Sequence, residues 1–199
     1  YVVLTHADLD HAAGLLYVLK NFSVGELWWN GIEGSSIMEQ ILLITKEKGI
    51  NTRLFSQALE LKFNDRLLIR NLNRHISGGT DNNQSLVLQL CYFQVCVMLP
   101  GDLEAIGENL ILSDGLVFSS QILQVGHHGS NSSTSDAWLN AIKPEYAIIS
   151  AGPNNRYRHP HLAVLNRLKE RGVKIFRTDH NGQINIVSDG SSIKVSSFR

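Results

Sequence analysis

Thr5-His6-Ala7-Asp8-Leu9-Asp10-His11 follows the apolar run Tyr1-Val2-Val3-Leu4 and precedes a stretch with helical periodicity. Four potential metal ligands, His6, Asp8, Asp10 and His11, therefore fall where a strand gives way to a helix. With the His and Asp content of this chain, a random match to that spacing arises about six times in ten thousand. Residues 6 and 8 share strand parity, so their side chains are expected to project together. Asp10 and His11 lie on the turn into the helix, within reach of a second cation beside the first. An acidic helix cap is the plain alternative, but a cap needs one such residue and not four.

Outward from this segment, short β runs alternate with amphipathic helices. Residues 1–5 predict a strand, 11–22 a helix, and Leu27-Trp28-Trp29 a short strand. Ser35 or Ser36 caps a helix running to about Lys48, with Gly49 as its stop. Strands are expected at 52–56 and at 59–73, the latter hinged at Asn64-Asp65, before a polar loop at 74–84. Residues 85–92 and 95–100 read as a hairpin turning at Phe93-Gln94. Then follow helix 104–112, strand 121–125, helix 134–142, strand 146–151, helix 161–171, strand 173–177 and a terminal hairpin at 183–198. With no linker or repeat, residues 1–199 read as one layered α/β domain with mixed sheets. A strand that starts at the first residue suggests a piece of something longer.

Composition excludes several classes. Hydrophobic residues make up 43% and charged residues 18%, which argues against disorder. Eighteen basic and eighteen acidic side chains balance, so bulk charge alone does not hold this protein to nucleic acid or to an anionic membrane. No apolar run approaches the ~18 residues of a membrane-spanning helix. Cys91 and Cys96 are too few for a disulfide framework and are expected as small buried hydrophobes.

Three further segments end apolar runs with ligand-type side chains. Leu99-Pro100-Gly101-Asp102 offers a carboxylate in a turn, although a strand end with a helix cap is the simpler reading of it alone. Gly126-His127-His128-Gly129-Ser130 offers two imidazoles between glycines that permit close backbone approach. His159-Pro160 stands before a helix start, where a cap is again the plain alternative. Ser130, Ser132 and Ser133 lack the base and orienting group that a serine nucleophile needs.

Together these segments resemble the metallo-β-lactamase fold, a four-layered αββα sandwich whose site lies along strand ends and takes one or two divalent metals. The set T-H-x-D-x-D-H, D-N-N-x-S-L-V-L (81–88), L-P-G-D (99–102), G-H-H-G-S (126–130) and H-P (159–160) is similar to the C-terminal hydrolase domain of ComEC-type competence proteins. Two departures from the superfamily pattern stand out. The strand pair that opens the family domain upstream of the signature is lacking, so the domain is expected to miss its first strands. Asp8 replaces the second signature histidine, and His75 is the one imidazole in the region of the distant histidine.

The resemblance implies two divalent ions, manganese or zinc with magnesium as a further candidate. His6 and Asp8 would hold the first and Asp10 and His11 the second; Asp102 would bridge, and His127 or His128 would complete the second site, His127 being slightly favoured. Asp10 would orient a metal-bridged hydroxide, and His159 would contact substrate or protonate the leaving oxygen. Ser130, Asn83 and Arg158 are the candidate substrate contacts. The implied activity is phosphodiester cleavage of DNA, beside a membrane channel of a longer protein at the bacterial cell membrane. Rival readings are a lactonase, thioesterase or phosphorylcholine esterase, or a non-catalytic DNA-guiding module. Trp28 and Trp29 are candidates to stack on bases, and residues 167–174 read as a solvated basic helix face. Oxygen-rich ligands favour manganese over zinc in function.

Overall fold

The computed structural model describes residues 1–55, 60–63, 65–74, 81–115 and 119–199. The chain opens with β1 (Val2–Val3), α1 (Leu9–Asn21) and β2 (Glu26–Trp29). Successive strand side chains project to opposite faces, and β2 makes the layering visible. Leu27 and Trp29 pack among Leu15, Leu19, Met38 and Ile41, whereas Trp28 packs among Phe55, Ile69, Leu86 and Leu88. One face of β2 thus meets helices and the other meets a second sheet. Both tryptophans are buried, at 2% and 5% exposure, so neither is available to stack on a base.

α2 (Ser36–Glu47) and β3 (Asn51–Leu54) complete the first layer pair. Ser35 accepts the Met38 N–H and so caps α2. Among the described residues, β1, β2 and β3 form a parallel sheet, Val2 opposite Leu27 and Glu26 opposite Asn51.

The second sheet is built from β4 (Glu60–Phe63), β5 (Leu67–Asn71), β6 (Leu88–Tyr92) and β7 (Val95–Leu99). After α3 (Ala105–Ser113) come β8 (Ile122–Gln124), α4 (Asp136–Ile142), β9 (Tyr146–Ile149), α5 (Leu162–Glu170) and β10 (Lys174–Arg177). Its strand order is β10-β9-β8-β7-β6-β5-β4, antiparallel from β4 to β7 and parallel from β7 to β10. Met98, Leu123 and Ile149 face outward against Ile111, Trp138 and Leu165 of the three covering helices. Helices, sheet, sheet and helices are the four layers expected of a mixed α/β sandwich. α6 (Thr178–Asn181), a single turn that the sequence did not reveal, leads into the terminal hairpin of β11 (Gln183–Ser188) and β12 (Ile193–Phe198).

The expectation for the two cysteines needs correction. Phe93-Gln94 does turn the β6–β7 hairpin, and this register sets Cys91 directly opposite Cys96 with Cα atoms 4.1 Å apart. The two side chains face each other across the hairpin, and the structure joins them in a cross-strand disulfide. A single bridge across a tight turn is not a framework, but the thiols are not free.

Parallel β7, β8 and β9 bring their carboxyl ends to one edge of the second sheet, and Thr5 is stitched to that edge by the Leu86 N–H donating to its carbonyl (3.0 Å). The site is assembled there, as in other open sheets whose ligands bind outside the strand ends.

Candidate metal centre

β1 is shorter than the sequence suggests, and the chain leaves the sheet after Leu4, whose N–H donates to the Trp28 carbonyl (2.9 Å). His6 is consequently turned inward, 2% exposed, with Nδ1 3.0 Å from Thr5 Oγ1 and 3.2 Å from Ser85 Oγ. With Nδ1 as the donor, the ring keeps its Nε2 lone pair for a cation. Asp8 occupies the N-cap position of α1, yet its carboxylate makes no capping hydrogen bond and lies 3.7 Å from His6 Nε2. Asp10 and His11 follow in the first helical turn.

Asp102 ends the Pro100-Gly101-Asp102 turn after β7. Gly101 has φ +58°, and a Cβ there would come within 2.9 Å of Ser85 and 3.2 Å of Thr5, so only glycine lets the turn seat against them. The Asp102 N–H donates to Ser85 Oγ (3.1 Å), which makes Ser85 a common support for His6 and Asp102. The Asp102 carboxylate, on a residue 4% exposed, is ringed by imidazole nitrogens: 3.1 Å to His11 Nε2, 3.7 Å to His127, 3.9 Å to His128 and 4.0 Å to His6.

His127 and His128 both adopt left-handed backbone, φ +48° and +52°, so strand parity does not govern where they point. His128 Nδ1 lies 2.8 Å from the Ser150 carbonyl, which only accepts, so Nδ1 donates and Nε2 presents its lone pair. That lone pair faces Asp10 Oδ2 at 3.2 Å, and two such facing acceptors call for a cation between them. His127 sits differently: Nε2 approaches Asp102, while Nδ1 is 3.6 Å from Glu104 Oε1, which accepts the Ser132 hydroxyl (2.8 Å).

The donor chemistry fits metal. His6 Nε2 and His11 Nε2 are buried and make no hydrogen bond, although buried polar atoms are ordinarily paired. Two groups have ligand atoms within 4.8 Å of one another: His6, His11 and Asp102, and Asp10, His11 and His128. They share His11, so the two groups adjoin. Burial and the neighbouring His11 hold His6 below its ordinary pKa. Burial also opposes charge on His11, but the Asp102 carboxylate outweighs it and raises that pKa. Asp102 is held below the usual carboxylate range because His11 overcomes the penalty of its burial.

His159 stands at the side of this cluster, its ring 5.9 Å from that of His127. Asn155 fixes it, donating to the His159 carbonyl (2.7 Å) and accepting the His159 N–H (2.9 Å). Gly129 closes against Pro160, where a Cβ would come within 2.6 Å, so the histidine loop and the 152–160 loop meet at this glycine. Burial, followed by the His127 charge, lowers the His159 pKa. A cavity of about 360 Å³ runs from Asp10 and His128 to His159 and Tyr157, floored by Ser150, Gly152 and Thr178.

The remaining expectations divide. Asn83 is a correction: it is 5% exposed, and its Oδ1 accepts the N–H groups of Glu104 (3.0 Å) and Gly107 (3.2 Å), so it caps α3 instead of reaching for substrate. Ser130 Oγ is 2.9 Å from Ser132 Oγ, on the Glu104 side of the cluster. Arg158 is exposed, in the loop beside the cavity, with φ +58°. His75 lies outside the described residues. The basic face at 167–174 is partly committed within the fold, since Arg167 donates to the carbonyls of Ser133 and Thr134 and Arg171 pairs with Asp136 (2.7 Å). Ser85, Glu104 and Asn155 were missed; a hydroxyl, a carboxylate and an amide carry no local signal of the imidazole each supports.

The family model described as the metallo-beta-lactamase superfamily matches residues 1–152, and the chain belongs to that superfamily. It is similar to ComE operon protein 3 of Bacillus subtilis (strain 168), 36% identical over 190 residues, covering 92% of this chain and 24% of that protein. It is also similar to Recombination protein 2 of Haemophilus influenzae, 32% identical over 186 residues, covering 93% of this chain and 22% of that protein. With Competence protein ComA of Neisseria gonorrhoeae the identity is 40% over 120 residues, covering 60% of this chain and 17% of that protein. The chain thus spans about a quarter or less of the length of these relatives. No helix among the described residues is long and apolar enough to cross a membrane.

Proposed function

We propose that this domain is a two-metal phosphodiesterase that cleaves DNA during competence-related uptake, as part of a longer protein at the bacterial cell membrane. The observation that carries the reading is the buried Asp102 carboxylate, within 4.0 Å of His6, His11 and His128, beside two adjoining ligand groups that open into a cavity on the Asp10–His128 side. His6, Asp8 and Asp102 would hold one cation and Asp10, His11 and His128 the other, with Asp102 shared. When bound, the pair supplies Lewis acidity for a phosphodiester and lowers the pKa of coordinated water.

The chain's own groups do the rest. Asp102 and Asp10 set the charge of the centre, Ser85 and the Ser150 carbonyl fix the tautomers of His6 and His128, and His159 lines the cavity beside His127, placed to contact substrate. His6, Asp8 and Asp102 set two carboxylates against one imidazole, an oxygen-rich first site that suits manganese or magnesium better than zinc in function. Names of the relatives support competence, and a formal net charge of zero fits weak, salt-sensitive contact with a strand.

The test is metal analysis coupled to turnover. After chelation and re-addition of Mn, Mg or Zn, bis(p-nitrophenyl) phosphate and single-stranded DNA should be cleaved, fastest with manganese, while lactones and thioesters should not. Hydrolysis of a lactone or thioester in preference to the phosphodiesters would replace this reading, and DNA binding with no metal and no turnover would make the domain a guide.

A further inference from the structure

Tyr157 lies at the far end of the cavity that begins at Asp10 and His128, and nothing in the metal chemistry uses it. It is 63% exposed, a large aromatic surface left to solvent beside a polar site. Its ring stacks on His159 at 5.7 Å between centroids and 17° between planes. Arg156 places its guanidinium 4.5 Å from the Tyr157 centroid and also donates to the Tyr157 hydroxyl. His159, Tyr157 and Arg156 therefore adjoin in a short row that starts 5.9 Å from His127 and leads away from the ligands. Its inner end is held by the Asn155 bonds to the His159 backbone.

We propose that Tyr157, with His159 and Arg156, is a base-stacking platform that seats a nucleobase of a single DNA strand next to the scissile phosphate. This assignment rests on the phosphodiesterase reading and names the part of the substrate that the cavity takes. An exposed aromatic ring next to a guanidinium offers a sequence-tolerant surface for any base. Arg156 and Arg158 lie on the same loop and suit the anionic strand. The charges also decide against the choline-type ester. A quaternary ammonium seeks an aromatic cage free of like charge, and Arg156 holds a positive charge 4.5 Å from this ring. Lactones and thioesters have no flat π face for the platform to hold. Duplex bases stay stacked on one another, so the platform favours single strands.

The test is equilibrium binding by the manganese-loaded protein of phosphorothioate single strands, read by fluorescence anisotropy. One strand carries all its bases and the other is abasic throughout, so charge is equal. The base-bearing strand should bind about tenfold tighter, on the scale of one stacked base. Tyr157→Ala should abolish that preference and Tyr157→Phe should keep it, with both variants melting as the parent does. Equal binding of the two strands by the parent protein, or an undiminished preference in Tyr157→Ala, overturns the platform. Bis(p-nitrophenyl) phosphate turnover by the parent protein is measured alongside. Its absence with the base preference intact would sink the phosphodiesterase reading and leave the platform standing.

Discussion

Two carboxylates lie buried six positions apart, and their surroundings differ completely. Glu108, in α3, accepts the N–H groups of Thr134 (2.5 Å) and Ser135 (2.9 Å), and so satisfies the chain where α4 begins. Asp102 receives no such backbone donors on its carboxylate among the bonds described; four imidazoles surround it, and three of those rings carry a buried nitrogen without a hydrogen bond. Burial raises the Glu108 pKa despite its donors, whereas Asp102 is lowered by His11 despite its burial. A buried acid that the fold itself completes belongs to stability. One surrounded by incomplete ligands belongs to chemistry, and substitutions at the two should separate accordingly.

The largest effect is expected at the incomplete acid. Asp102→Asn should lower phosphodiester turnover on the order of 10³-fold, since several kcal/mol of charge stabilisation depend on the shared carboxylate. In the chelated protein this substitution should also remove a pH-dependent margin. Asp102 has a depressed folded pKa, so its contribution is present above the unfolded value of 3.8 and is lost as pH falls through the depressed one. His11 has a raised folded pKa, so its share is full below 6.5 and is lost as pH rises through the raised value. The melting-temperature gap between parent and variant should therefore be widest at about pH 4–6.5. A flat gap would mean that the pair is not formed.

Next in size is the contrast between adjacent histidines. His128→Ala should cost bound metal and about 10²-fold in turnover, whereas His127→Ala should keep the metal and alter substrate handling alone. Equal metal loss in both would erase the distinction drawn from the Ser150 and Glu104 contacts. Ser85→Ala, which touches both His6 and Asp102, should weaken metal affinity by roughly 10- to 100-fold while leaving every proposed ligand in place.

The smallest effect on chemistry belongs to the completed acid. Glu108→Ala should destabilise the fold by about 2 kcal/mol, through the unpaired N–H groups of Thr134 and Ser135, with metal content unchanged. Its raised folded pKa means that the titrating contribution is full below the unfolded value of 4.5 and is lost as pH rises through the folded one. Glu108→Gln cannot titrate, so the stability gap between parent and Glu108→Gln should narrow from pH 4 to pH 7. A gap that widens over this range would contradict the burial argument.

The same distinction explains what was legible in the sequence. Ligands that sit close together, His6 to His11, declare themselves by spacing, and β2 declares its two-sided burial by alternation. Long-range closure does not announce itself. His127 and His128 take left-handed backbone that period-2 reasoning does not anticipate: the sequence slightly favours His127 as ligand, whereas the grouped ligand atoms include His128. Asn83, a candidate substrate contact by resemblance, holds the start of α3, a long-range partnership that no local pattern carries. The Cys91–Cys96 bridge follows from hairpin register, which was in fact readable once Phe93-Gln94 was placed as the turn. Tyr157 carried no signal, because its role depends on a loop folding back beside His127.

The central claim is that Asp102 joins two cation sites, and metal stoichiometry tests it most directly. Parent protein and Asp102→Asn are stripped with chelator, reloaded with manganese, freed of excess ion and analysed for metal per chain, with melting curves taken on the chelated samples. The account predicts about two manganese ions per chain in the parent and one or none in Asp102→Asn, whose fold remains intact. A parent that holds a single ion, or a folded Asp102→Asn that still holds two, would contradict it.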